Sequence, residues 1–548
     1  MGLRKMICAV ILAALFSFAA AAGGAQVSPN EFIQGSCGEN LIWTFDSDIG
    51  SLKISGTGDM YNFPSFRLVP WSRYAAIIRT INVAEGVTGI GGFAFSRCDR
   101  VVSVVLPESV AALGNRAFCE CQALETVTFG GGLVSIGAHA FESCPSLVSV
   151  ELPEGLLSIG EGAFRSCASL ASVSLPESLE SLGASAFYGC VSLGSIELPD
   201  GLSSIAENTF SGCENLASVR LPANLLSIGD SAFSGTRIVS FDFPEGLLSI
   251  GDWAIGSRVL RTVELPDSLV HLGLGAFTGC PELFSFGVGK DNAAFSSVDG
   301  VLFDKTGGTL LAYPCGRGFI YNVPEGVTRI GDYAFCKSQL LHVASLPSSV
   351  TSVGVHAFYE CTVMSLLTFS DGLVEIGDGA FEKCIGLGSL ELPANVTSIG
   401  DRAFRSCSQL TRARFGGAPP AGFGEDVFDG CAEDFLITYL PEYAAAWAPD
   451  GETEWNGWPI SPLFQTGDAD LDGTVGVSDA LLALRGAMGL VQLSPEQAAC
   501  ADFDGSGELE MNDALNILRF VMGIASGYRE GAFMPSADVY HSLGKRLG

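Results

Sequence analysis

From Ile81 onward the apolar residues recur in one fixed order. Phe95, Phe118, Phe141, Phe164, Phe187, Phe210 and Phe233 stand 23 residues apart. Ile255 and Phe277 continue the series at a spacing of 22. After a longer interval it resumes at Phe335, Phe358, Phe381 and Phe404 and ends at Phe428, giving 14 rungs. One unit reads L-x-x-V-x-L-P-x-x-L-x-S-I-G-x-x-A-F-x-x-C-x-x-L, and the stretch from Leu147 to Leu170 is a nearly perfect copy. Each part predicts an element. Val150 and Leu152 alternate with polar residues, the pattern of a short strand with one buried face. Pro153 has no N–H to donate and ends the ladder. Leu156 and Ile159 return to the inside, and Gly160 allows a tight turn. Ala163 and Phe164 start a short helical corner, with Phe164 filling the core, and Cys167 and Leu170 close the coil. No unit can bury its apolar side alone. Neighbours must therefore stack into a repeat solenoid of parallel β-strands with short helical corners.

The cysteines follow the same order. Cys98, Cys121, Cys144, Cys167, Cys190, Cys213, Cys280, Cys361, Cys384 and Cys407 occupy one repeat position, which Thr236 and Ser338 fill in other rungs. A small residue packed against the next coil explains all of these. Disulfides between stacked rungs are the alternative, but the Thr and Ser rungs would leave cysteines without obligatory partners. Cys119 with Cys121 is a lone C-x-C, and no C-x-x-C pair marks a zinc site.

Composition narrows the class of protein. Charged residues make up only 16% of the 548 and hydrophobic residues 48%, so the chain is not a disordered one. The net charge of −31 excludes binding to a phosphate backbone through a basic surface. Residues 1–25 read as a signal peptide: Arg4 and Lys5, an apolar run from Met6 to Phe18, then small residues from Ala19 to Ala22. An uncleaved anchor is the alternative, but the run is short of the ~20 residues of a spanning helix. Nothing later is long and apolar enough to span a membrane. The mature chain then divides into a cap (26–80), a solenoid with its closing cap (81–462), a second module (466–527) and a tail (528–548). A variant rung falls near 284–323.

The repeated L-P-x-x-L-x-S-I-G-x-x-A-F-x-x-C resembles the bacterial surface-antigen (BspA-like) class of leucine-rich repeats. The flanks are similar too: Ser36–Asn40, Leu52–Gly58 and Pro70-Trp71 at the N-terminal cap, Asp299–Phe303 in the variant rung, and Trp455–Gly457 in the closing segment. The resemblance implies a secreted or surface protein that binds other proteins, host surfaces or glycans.

After the repeat a different signal begins. Asp468, Asp470 and Asp472, then Gly473, open a twelve-residue loop that ends at Asp479. Acids at positions 1, 3, 5 and 12 with glycine at 6 are the spacing of a calcium loop, and the Thr474 carbonyl fits position 7. A second loop would use Asp502, Asp504, Ser506, the Glu508 carbonyl, Glu510 and Asp513, with Gly507 at the turn. Two calcium ions are expected. The duplication runs on at an offset of 34, with Asp479-Ala480-Leu481 matching Asp513-Ala514-Leu515 and Met488-Gly489 matching Met522-Gly523. Each loop feeds a short amphipathic helix with Leu481 and Leu484, or Leu515 and Leu518, on one face. Pro462 and Gly467 lie before the first loop, and Pro495 before the second, and no amphipathic helix is expected ahead of either.

This paired loop–helix pattern resembles a type I dockerin, the module that plugs into cohesin domains of cellulosome scaffolds. The resemblance implies partner contacts from Val477, Ser478 and Arg485 in one half and from Met511, Asn512 and Arg519 in the other. The two sets differ, which puts symmetrical partner use in doubt.

No catalytic constellation accompanies these modules. His139, His271, His342, His356 and His541 are scattered, and no G-x-S-x-G, phosphate loop or H-E-x-x-H is present. Glu151, Glu197, Arg220, Asp242, Glu264, Glu391 and Arg414 form a mixed polar outer face, suited equally to binding or to plain solvation. The sequence reads as a secreted, non-catalytic binding or adhesion protein, attached through calcium and cohesin to a scaffold, whose solenoid recognises a protein or a glycan. Two other readings stand beside it: a carbohydrate-active subunit in polysaccharide breakdown, and a calcium-stabilised surface protein with no cohesin partner.

Overall fold

The protein is described by a computed structural model covering residues 32–471, 474–523 and 533–535. The signal segment, Asp472, Gly473 and most of the tail lie outside the described residues.

The solenoid starts from one long strand. Ser51–Met60 carries two parallel columns at once, with Ser51–Ile54 pairing Thr80–Val83 and Gly58–Asp59 pairing the Val87–Ile90 strand. Its other edge is covered by Gly38–Asp46, an antiparallel strand, so the first coil is capped. The first column then runs through Ser103–Val105, Thr126–Thr128, Ser149–Glu151 and Ser172–Ser174. The repeat pattern predicts one strand per coil, and the structure has two. The second is short, as at Ser158–Ile159, and pairs in parallel with Ser135–Ile136 and Ser181–Leu182.

The corners are not helical, which corrects the sequence-based expectation. Around Phe164, alternate N–H groups leave the coil. Those of Gly162, Phe164 and Ser166 donate to Ala184, Ala186 and Tyr188 of the next coil at 2.9, 2.8 and 2.7 Å. The N–H groups between them close turns inside the coil, as Arg165 does onto Gly162 at 3.0 Å. A helix would send every N–H four residues back. Gly162 and Ser166 sit at φ +58° and +59°, left-handed values that forbid a helix. His139 and Ser143 do the same one coil earlier, and Arg116 and Glu120 before them. A side chain in that region costs roughly 1–2 kcal/mol. The inter-coil hydrogen bond it permits returns about 1 kcal/mol.

The core is a stack of identical side chains. Phe118, Phe141, Phe164, Phe187 and Phe210 lie with ring centroids 5.2 to 5.6 Å apart and planes within 4° of parallel. The cysteine column packs beside them. Most of its thiols face a phenylalanine carbonyl of the preceding coil, as Cys144 Sγ does with Phe118 O at 3.1 Å and Cys384 Sγ with Phe358 O at 3.2 Å. All 16 cysteines of the described chain are free. Burial pushes the Cys98 and Cys213 thiols up to about 12.

One rung departs from the rule. Phe295–Val298, Val301–Asp304 and Thr309–Ala312 form an antiparallel meander, and only the last strand rejoins the parallel column. Fully buried Asn292 pins its entry, donating to Pro266 O and Leu269 O and accepting from the N–H groups of Ala294 and Phe295. At the far end the array closes on Trp447, Trp455 and Trp458, with ring pairs as near as 4.9 Å.

Two outcomes follow from this packing. The native protein should resist thiol reagents, because buried thiols rarely ionise. Titration after denaturation without reductant should reveal all 16 thiols of the described chain. Phe164→Ala should lower stability by about 3–5 kcal/mol in chemical denaturation, since its neighbours cannot collapse into the gap.

Candidate calcium loops and apolar groove

The module after the solenoid holds three helices: Val477–Ala487, Pro495–Ala501 and Met511–Val521. The middle one, seven residues long, stands before the second loop, where the sequence shows no sign of an amphipathic helix. Pro495 starts that helix instead of forbidding it, because the first helical residue has no intrahelical use for its N–H. Ser494 caps it, accepting from the Gln497 N–H at 3.2 Å. The outer helices pack together through Ala480, Ala483, Ala514 and Ile517. Both are followed by a glycine in the left-handed region that stops the helix, Gly489 at φ +67° and Gly523 at φ +66°.

Each loop gathers carboxylates. Asp468, Asp470 and Asp479 place one oxygen each within 4.8 Å of the others, and Asp502, Asp504 and Asp513 do the same. Asp468, Asp479 and Asp513 are fully buried, and Asp502 is 8% exposed. Backbone donors hold the last acid of each loop. Asp479 accepts from the N–H groups of Asp470 and Gly476 at 2.9 and 2.7 Å. Asp513 accepts from those of Phe503, Asp504 and Glu510 at 2.8 to 3.1 Å. Gly507 turns at φ +86° and donates to Asp502 at 2.7 Å.

Of the expected ligands, Asp472 lies outside the described residues. Thr474 is on the exposed loop. Ser506 donates its hydroxyl to the Glu508 carbonyl at 3.0 Å. Glu510 is exposed and is not among the three gathered acids of its loop.

The donor set fits a hard divalent cation. Three carboxylates at this separation repel by about 3 kcal/mol per pair at an effective dielectric near 20. Calcium takes six to eight oxygens, and a carboxylate oxygen with two lone pairs can accept an N–H and still bind metal. The negative field is felt nearby: Cys500 is pushed up to about 12 by burial, then by Asp468, Glu496 and Asp479.

Beside the loops runs an open apolar groove of about 300 Å³. Val477, Ala480, Leu481 and Leu484 line one side, and Met511, Ala514, Leu515 and Leu518 the other. Every residue on one side has its counterpart 34 positions on. Val477 is 61% exposed and Met511 64%. Ser478, Asn512, Arg485 and Arg519 are exposed as well, with Arg519 turned toward Asn516 at 3.5 Å. Sequence reasoning placed Leu481 and Leu515 on the apolar face of each helix but not in an exposed groove, where they are 47% and 43% exposed. The signal was present: alanines fill the core face, so the leucines are in excess of what so small a core can hold.

On the solenoid, the polar outer positions pair across coils, as Arg414 does with Glu391 at 3.4 Å and Arg220 with Asp200 at 3.5 Å.

The family model for the BspA type leucine rich repeat region matches residues 74–194, 180–298 and 320–433. The chain belongs to that family. Its matched segments end before the carboxylate loops. Among solved structures, a leucine rich cell surface protein from Faecalibacterium prausnitzii is 24% identical, with 75% of this chain and 95% of that one covered at a TM-score of 0.45. A leucine-rich repeat protein from Bacteroides ovatus is 25% identical, with 79% of this chain and 100% of that one covered at a TM-score of 0.47. The pneumococcal vaccine antigen PcpA is 18% identical, covering 79% of this chain and 99% of that one at a TM-score of 0.38. No curated relative matches. Among the described residues no helix is long and apolar enough to cross a membrane.

Asp479→Ala and Asp513→Ala should each weaken calcium binding at least tenfold in calorimetry. Chelator should abolish the module's helical circular dichroism while leaving the solenoid's thermal transition in place, because three short helices are marginal without the metal.

Proposed function

We propose that this chain is a secreted, non-catalytic binding subunit, displayed at the cell surface or outside it by a calcium-dependent docking module. In this reading the solenoid is the recognition surface and residues 466–527 are the attachment device. One observation carries it. Two carboxylate clusters sit at the starts of two helices whose shared outer face is an exposed apolar groove. Calcium would order the loops, and the ordered helices would present the groove. Asp468, Asp470, Asp479, Asp502, Asp504 and Asp513 are the residues to hold the two ions.

The partner proposed for that groove is a cohesin domain of a scaffold protein. Val477 and Met511 would insert as apolar anchors, with Ser478, Asn512, Arg485 and Arg519 at the rim. Desolvated apolar centres inside a polar rim are how such interfaces concentrate their energy.

At two places on the polar face of the solenoid an arginine pairs with an acid of the coil before, Arg414 with Glu391 and Arg220 with Asp200. The non-catalytic reading is supported by the lack of a catalytic motif in the sequence, since glycoside hydrolysis needs two placed carboxylates.

Pull-down of a cohesin domain in calcium and in chelator tests the docking reading. Capture should require calcium. Met511→Ala should weaken it roughly tenfold or more with calcium affinity unchanged. Equal capture in chelator would overturn it. The purified protein should release no reducing sugar from a polysaccharide panel, and sustained release would restore the enzyme reading.

A further inference from the structure

The corner position that takes a left-handed backbone is filled by small or polar residues through the middle of the first array. Gly162, Ser185, Asn208 and Ser231 occupy it in successive coils, at φ +54° to +58°. Then the choice changes. Trp253 and Tyr333 hold the position at φ +54° and +58°, and His356 at +49°. The left-handed turn recurs along the whole array, with Phe93, Arg116, His139 and Arg402 holding it elsewhere, so what sets this stretch apart is its run of aromatic rings.

These rings meet on the surface. Trp253 packs against Tyr333 with centroids 4.7 Å apart, Tyr333 against His356 at 5.3 Å, and His356 against Tyr359 at 5.1 Å. Glycines clear the ground beneath them. A Cβ on Gly275 would come within 3.0 Å of the Trp253 ring, and one on Gly379 would overlap the His356 ring. Trp253 remains 36% exposed. Lys383 fixes the far end, bonding Tyr359 Oη at 2.6 Å and Glu360 at 2.8 Å. Lys337, Glu382 and Arg402 complete the lining of an open cleft of about 320 Å³.

We infer that this aromatic cleft binds a neutral oligosaccharide, which deepens the proposed recognition role of the solenoid and rests on it. Ring faces suit the C–H faces of pyranoses. The rim offers donors on Lys337 and Arg402 and an acceptor on Glu382, and sugar hydroxyls use both. The coils advance by about 4.8 Å each, close to one pyranose residue of an extended chain, so the tract spans a short oligosaccharide. The net charge of −31 works against a polyanionic glycan. A peptide strand is disfavoured because the backbone at this corner is already committed: the N–H groups of Tyr333, Phe335 and His356 donate to Val355, Ala357 and Asp378 of the next coil.

Calorimetric titration of the full chain with cellohexaose, xylohexaose, mannohexaose and maltohexaose is the test. At least one should bind saturably. Trp253→Ala and Tyr333→Ala should each weaken it tenfold or more, with the thermal midpoint of the solenoid and calcium-dependent cohesin capture unchanged. His356→Gln, which keeps hydrogen bonding without the aromatic ring, should weaken it less. Glycan binding untouched by the Trp253 and Tyr333 changes would sink this cleft but keep a glycan-binding solenoid. No binding of any probe at millimolar concentration would overturn the inference. A protein ligand lost on Trp253→Ala, without glycan binding, would overturn it too and leave a recognition surface of another kind.

Discussion

Half of the corner N–H groups in each coil have no partner within that coil. They find one only in the next, as Gly162, Phe164 and Ser166 do on Ala184, Ala186 and Tyr188. Much else follows from this unmet need. It forces the left-handed residues, because a right-handed corner would turn the alternate groups inward. It fixes the coil-to-coil step, and so the spacing at which the phenylalanines stack and the cysteine thiols meet the carbonyls before them. It also makes the ends costly, since a coil without a neighbour leaves a row of buried donors unsatisfied. At the start the unmet corner group is a carbonyl, Ala94 O, and the buried Trp71 indole N–H donates to it at 2.7 Å.

The period, the two strand-facing apolar positions and the phenylalanine and cysteine columns were legible because each is a side-chain preference repeated many times over. The corner was not. Ala163-Phe164 with polar flanks looks like the start of a helix, and nothing in Arg116, His139 or Ser185 announces a left-handed backbone. Only the glycines at the same position, such as Gly162 and Gly379, hint at it. The second strand was missed because two residues, Ser158 and Ile159, leave no room for an alternation to be seen. In the last module the carboxylate spacing pointed to six acids that the structure brings together, while Pro495 misled because a proline both breaks helices and begins them. The exposed leucines needed the core to be known first: an alanine-filled interface is too shallow to bury them.

The two modules keep their order by different means. The solenoid is held by apolar burial and by hydrogen bonds from coil to coil, and its thiols are free. The helical module has a core of a few alanines and one isoleucine, and it brings six carboxylates into two tight groups. Its apolar gain is small and its electrostatic cost is large, so on the proposed reading a cation would supply much of the stability of its folded state. On the proposed reading, such a chain would keep its solenoid intact while its attachment responded to calcium.

The variant rung bears on where recognition can occur. In a regular array each side chain meets its own kind one coil away, and the surface is a set of uniform stripes. The meander of residues 295–312 interrupts the second column between His271–Leu272 and Arg329–Ile330. Trp253 and Tyr333 lie on opposite sides of that interruption and still meet at 4.7 Å. The irregular coil thus lets two large rings from distant rungs share one site, which uniform stacking would keep apart. Asn292, buried with both ends of its amide satisfied, holds the meander in one conformation. The rigidity of the array is therefore passed to the cleft, and a ligand there meets rings already in place, with little ordering cost to offset its contacts.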